Sequence, residues 1–147
     1  MPNHILAAVC GLLALFSFAA PAQAYWEYGH ETVARIAWLQ MRPDTRAQVA
    51  ALLRQGRLLE TPDCPVATIE QASVWADCIK PLGDRFSYAY SWHYQNVDVC
   101  KPFGLKAACR DGNCVSAQIE RTAGLIADRK VPARERLQAL AFLVHFV

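Results

Sequence analysis

The sequence predicts an all-α protein, and three observations carry that prediction. Apolar residues recur at helical spacing in five stretches, Pro43, Gly56, Pro65 and Pro132 punctuate them, and no segment alternates cleanly enough to form a strand. The first stretch, 30–41, carries apolar residues at 33, 36, 37 and 41 and ends before Pro43. Asp44 then caps a second helix over 44–55, with Gly56 as its stop. A third, over 65–76, follows Pro65 and sets Ile69, Ala72, Trp75 and Ala76 on or near one face. Two more helices, 115–128 and 133–147, are separated by Arg129-Lys130-Val131-Pro132. Residues 81–113 are loop-rich, and the aromatic run 86–94 is the one stretch suited to an extended conformation. The last helix is apolar at 137, 140, 141, 144 and 147, and no Gly, Asn or Pro closes it. The expectation is a domain incomplete at its C-terminus.

The front of the chain reads as a leader. Residues 5–20 are apolar and uncharged, followed by Pro21 and then Ala22-Gln23-Ala24, the small-residue pattern that signal peptidase accepts. A signal peptide over 1–24, cut before Tyr25, is expected even though Met-Pro-Asn-His lacks the usual Lys or Arg. The apolar stretch is short of the roughly 20 residues that a membrane span requires, and Cys10 lies too early for lipid attachment. The mature protein is expected to be secreted or periplasmic. Its 123 residues suffice for one core and fall short of two domains. A formal net charge of +2 on the whole chain is too small for a protein that coats nucleic acid.

Export predicts disulfides. Of the six cysteines, five lie beyond the leader. Cys109 and Cys114 enclose an Asp-Gly-Asn turn and can close a small loop, and Cys64 and Cys78 bracket the third helix. Cys100 is left over, and its partner is expected outside the 147 residues. A cysteine zinc site is the competing reading, but no Cys-x-x-Cys pair supports it.

Three histidines remain in the mature chain: His30, His93 and His145. His145 sits one turn after Ala141, at the border of the last apolar stripe. His93 is flanked by Trp92 and Tyr94, and Asp77 ends a mostly apolar helix where a bare carboxylate is costly. Singly, each has a plain structural reading: a packed histidine donating to a carbonyl, or an Asp77–Lys80 surface ion pair. Together, one Asp and two His supply the oxygen and nitrogen donors that catalytic zinc prefers. His30 lies five residues from Tyr25, whose new α-amino group and carbonyl oxygen offer a further chelating pair.

Five motifs occur in an order that resembles the nuclease S1/P1 family. They are 25–34 (Tyr-Trp-Glu-Tyr-Gly-His-Glu-Thr-Val-Ala), Ser73-Val74-Trp75-Ala76-Asp77, Trp92-His93-Tyr94, the Cys109 to Cys114 loop with Val115-Ser116-Ala117-Gln118-Ile119, and 139–146. The resemblance implies a helical fold related to zinc-dependent phospholipase C, three zincs in the complete protein, and single-stranded nucleic acid or nucleotides as substrate. By position, Asp77, His93 and His145 resemble ligands of one zinc, and His30 with the main chain of Tyr25 resembles ligands of a second. The family usually begins with Trp where Tyr25 stands here, and its bridging Asp and third-zinc ligands follow the last helix. The 147 residues alone are therefore expected to bind metal weakly and to be essentially inactive. For the complete protein, the resemblance implies hydrolysis of RNA and single-stranded DNA to 5′-phosphorylated products, and 3′-nucleotidase activity. Asp77 is the candidate for orienting the attacking water. Tyr94 is the candidate base-stacking residue, with a core aromatic as its competing reading. Two alternatives stand beside this one: a zinc-dependent phospholipase C-like phosphodiesterase, which requires an apolar entrance for acyl chains, and a non-catalytic exported helical module. Nucleotide against lipid turnover separates the two enzymes, and metal content separates both from the module.

Overall fold

The computed structural model describes residues 26–102, 104 and 109–147. Among the described residues five α-helices form the body: α1 Glu27–Gln40, α2 Pro43–Leu53, α3 Ile69–Cys78, α4 Val115–Ala127 and α5 Ala133–Phe146. Among the described residues there is no strand, in agreement with the all-α expectation. α5 packs between α3 and α4, and α1 lies along α3. The last turns of α3 and α5 and the first half of α1 thereby come to one place.

Packing of three aromatic rings explains why α3 and α5 are central. Trp75 is 1% exposed and meets Phe86 and Phe142 edge-on at centroid distances of 5.5 and 5.3 Å. Such pairs contribute beyond the area they bury. The indole N–H of Trp75 donates to Thr61 Oγ1 at 3.0 Å, so this deep polar atom is satisfied. The Cys64–Cys78 disulfide ties the turn carrying Thr61 to the end of α3, and the Cys109–Cys114 disulfide closes the loop before α4. Both expected pairings are present, and Cys100 is an exposed free thiol.

Several boundaries differ from expectation, each for a local reason. α3 starts at Ile69 because Thr68 is its N-cap, accepting from Gln71 N–H at 3.2 Å, while Gln71 Oε1 accepts from Ala67 N–H at 2.9 Å. This is a near relative of the capping box. α2 has Arg42 at its N-cap and Pro43 in its first turn, so Asp44 favours the helix dipole from inside the helix rather than capping it. Gly56 opens a 3₁₀ turn, Gly56–Leu59, after α2 has ended. A Cβ there would sit 3.1 Å from Val66 Cγ2, so close packing explains this glycine. α1 starts at Glu27, ahead of the expected start at His30, so Gly29 lies inside it. The run 86–94 is not extended: it folds as 3₁₀ turns at Ser87–Ala89 and Ser91–His93. The residues of the expected signal peptide, and Tyr25, lie outside the described part.

Candidate metal centre

A cleft of about 510 Å³ opens where α1, α3, α5 and the turn Ser91–His93 meet, and His30, Asp77, Lys80, His93, Tyr94 and His145 all line it. Each arrives by a different local route. Asp77 stands in the last turn of α3, where the dipole disfavours an anion, so its placement requires compensating cations. Lys80 follows the helix end, and its Nζ lies 2.5 Å from Asp77 Oδ1. His145 occupies the last turn of α5, and the 3₁₀ turn delivers His93.

The two buried histidines present the same atom to the same place. His93 Nδ1 lies 3.2 Å from Ala89 O, and His145 Nδ1 lies 2.7 Å from Ser73 O. A carbonyl only accepts, so Nδ1 carries the proton in each ring, and in the neutral imidazole Nε2 keeps its lone pair. The two Nε2 atoms lie 3.4 Å (His93) and 3.7 Å (His145) from Asp77 Oδ1. The rings' side chains are 8% and 5% exposed, and His93 Nε2 is buried without a hydrogen-bond partner. Nitrogen lone pairs beside a carboxylate oxygen repel it unless a cation lies among them, as the Lys80 ammonium on the same Oδ1 does here. The donor set therefore fits a zinc-like ion, with each histidine oriented through its other nitrogen as metal-ligating histidines usually are.

His30 joins this cluster. Its ring stacks on that of His145 at 4.2 Å, and the ligand atoms of His30, Asp77 and His145 lie within 4.8 Å of one another. Electrostatics favour the ligating forms. Burial pushes the His145 pKa down to about 4, against the upward pull of Ser73 and Asp77, and burial also lowers that of His30. The His93 ring, when it donates from Nε2, and the Lys80 ammonium hold the Asp77 carboxyl well below the usual carboxylate range, outweighing partial burial.

The structure thus brings four of the residues singled out from sequence to one cleft, but the three whose ligand atoms lie within 4.8 Å of one another are His30, Asp77 and His145 rather than Asp77, His93 and His145, and Tyr25 falls outside the described part. The plain readings are realised too: Lys80 pairs with Asp77, and His93 donates to a carbonyl. Tyr94 is 61% exposed on the cleft wall, which overturns the core-aromatic reading. Sequence reasoning passed over Lys80 as part of the cleft. Its signal was the three-residue spacing from Asp77 across a helix end. The orienting carbonyls of Ser73 and Ala89 carry no side-chain signature at all.

A helical protein that gathers three histidines and an aspartate in one cleft defines a candidate metal-centre protein. Over residues 25–147 the chain matches the S1/P1 Nuclease family model, and it belongs to that family. No curated protein matches it.

Proposed function

We propose that this protein is a secreted, zinc-dependent nuclease that hydrolyses RNA and single-stranded DNA and removes 3′-phosphates. Membership of the nuclease family supports the reaction class. One observation carries the site assignment: the lone-pair nitrogens of two buried, carbonyl-anchored histidines converge on Asp77 Oδ1. In this reading Asp77, His93 and His145 hold one zinc, and His30 with the amino group and carbonyl of Tyr25 holds a second. The resemblance implies a third zinc beside these two, and full turnover is assigned to the site that holds all three. The family match begins at residue 25, the residue after the expected cut, which supports export with the α-amino group of Tyr25 exposed. The two disulfides are consistent with an oxidising compartment. Among the described residues no helix is long and apolar enough to cross a membrane.

When bound, zinc supplies Lewis acidity at the phosphate and lowers the pKa of a bound water toward about 7. The chain's own residues do the rest. Asp77 accepts a hydrogen bond from the attacking water and orients it toward phosphorus. The bond from phosphorus to the 3′-oxygen breaks as one to the water oxygen forms, that oxygen stays on the 5′-phosphate, and one of the water's protons ends on the 3′-oxygen, which leaves as a hydroxyl, the other remaining with the phosphate or passing to solvent. Lys80, already in the cleft, neutralises part of the phosphate charge as it approaches. Tyr94 stacks a base, and only an unpaired base reaches that ring, which gives the preference for single strands.

The experiment is zinc affinity together with chelator-sensitive cleavage of single-stranded RNA, in the wild type and in Asp77→Asn and His93→Ala. Loss of zinc in both variants with helical content retained supports the assignment. Wild-type zinc affinity in either variant sinks it.

A further inference from the structure

The six-residue loop closed by the Cys109–Cys114 disulfide does more than close a turn. Two hydrogen bonds run from it, or from the residue just after it, to the segment that carries His93. Asn113 Oδ1 accepts from the Trp92 indole N–H at 3.4 Å, and the Val115 amide donates to Tyr94 O at 3.0 Å. These anchors grip the residues on either side of His93. The loop is itself braced. Gly112 sits at φ 73°, which only glycine adopts freely, and its carbonyl accepts from Gln118 Nε2 at 3.0 Å. Gln118 is buried, and its own carbonyl accepts from Thr122 Oγ1 at 2.6 Å. Asp111 Oδ1 accepts from the Asn113 amide at 3.1 Å, holding the asparagine in place. On its other side Trp92 packs against Phe142 of α5, at 5.1 Å between centroids.

We infer that the Cys109–Cys114 loop, acting through Asn113 and the Val115 amide, is the positioning element for His93 and Tyr94. The inference rests on the proposed reading of His93 as a zinc ligand and Tyr94 as the base platform. Ala89 O, in the preceding 3₁₀ turn, fixes the His93 ring, and the loop fixes the backbone that carries the ring. A covalently closed loop loses little further entropy on making these contacts. Asn113 touches no reacting atom, so its role is positional.

The test compares the wild type with Cys109→Ser/Cys114→Ser, Asn113→Leu and the conservative Asn113→Asp, which keeps an acceptor oxygen. Two quantities are read: amide hydrogen exchange over residues 91–94, and zinc affinity by competition with a coloured chelator. The expected result for the double variant and Asn113→Leu is exchange about tenfold faster over 91–94, with α1 and α2 unchanged. Zinc affinity falls about tenfold, the lower end of what removing an outer-shell partner costs, and Asn113→Asp restores both. Unchanged exchange and unchanged affinity in Asn113→Leu and the double variant overturn the inference. Should the double variant unfold, the exposed Asn113 still provides the readout. A wild type that binds no zinc sinks the functional reading alone, since exchange judges the loop without metal.

Discussion

At His145, burial decides which protonation state the fold accepts. The ring titrates near 6.5 when unfolded and near 4 when folded, so between those values the unfolded chain holds a proton that the folded chain lacks. The stability this group contributes is complete above pH 6.5 and drains away as pH falls through 4. His30 shifts in the same direction. Urea unfolding of metal-free protein between pH 7 and 4 is expected to show a falling midpoint, steeper in the wild type than in His145→Gln. As pH falls through about 4, acid also takes the His145 lone pair in the folded protein, so zinc affinity is expected to fall there. Tyr94 makes a different residue-scale prediction. Tyr94→Ala is expected to weaken binding of a short single-stranded oligonucleotide by about 1–3 kcal/mol, the worth of one stacked base, with zinc affinity unchanged. Equal oligonucleotide affinity for both proteins would remove Tyr94 from the substrate path.

Among the elements, α3 does most to build the site, because its two ends have different tasks. Its start is set by Thr68, and Thr68→Ala is expected to cost about 1 kcal/mol, read from the shift in denaturation midpoint. Its end delivers Asp77 against an unfavourable dipole, which is the kind of local conflict that functional sites keep. Helix existence was legible for all five elements, since apolar spacing reports burial directly. Boundaries were less so. Thr68 followed three residues later by Gln71 was a visible signal that was passed over, while the role of Gly56 depends on Val66, ten residues away. The run 86–94 read as extended because its aromatics favour strands, but Phe86, Ala89 and Trp92 are buried at three-residue spacing in successive 3₁₀ turns. Asp77, His93 and His145 were legible as donor types, but their meeting depends on α3 and α5 packing side by side, which no spacing along the chain reveals.

For the whole molecule, one aromatic cluster supports both stability and the cleft. Trp75, Phe142 and Trp92 connect the core to the turn carrying His93. Trp75→Ala is expected to cost about 3–5 kcal/mol and to loosen zinc binding as well, whereas a cut in the Cys64–Cys78 bond is expected to lower stability by about 3 kcal/mol. Thermal melts of these variants with and without zinc separate the two effects. The central claim is that Asp77, His93 and His145 form one zinc-holding set. It is tested most directly by zinc affinity, measured by chelator competition, in the wild type and in Asp77→Asn, His93→Ala and His145→Ala. Each variant is expected to bind zinc at least tenfold more weakly while keeping its helical content. Affinity equal to the wild type in any of the three would contradict the shared site.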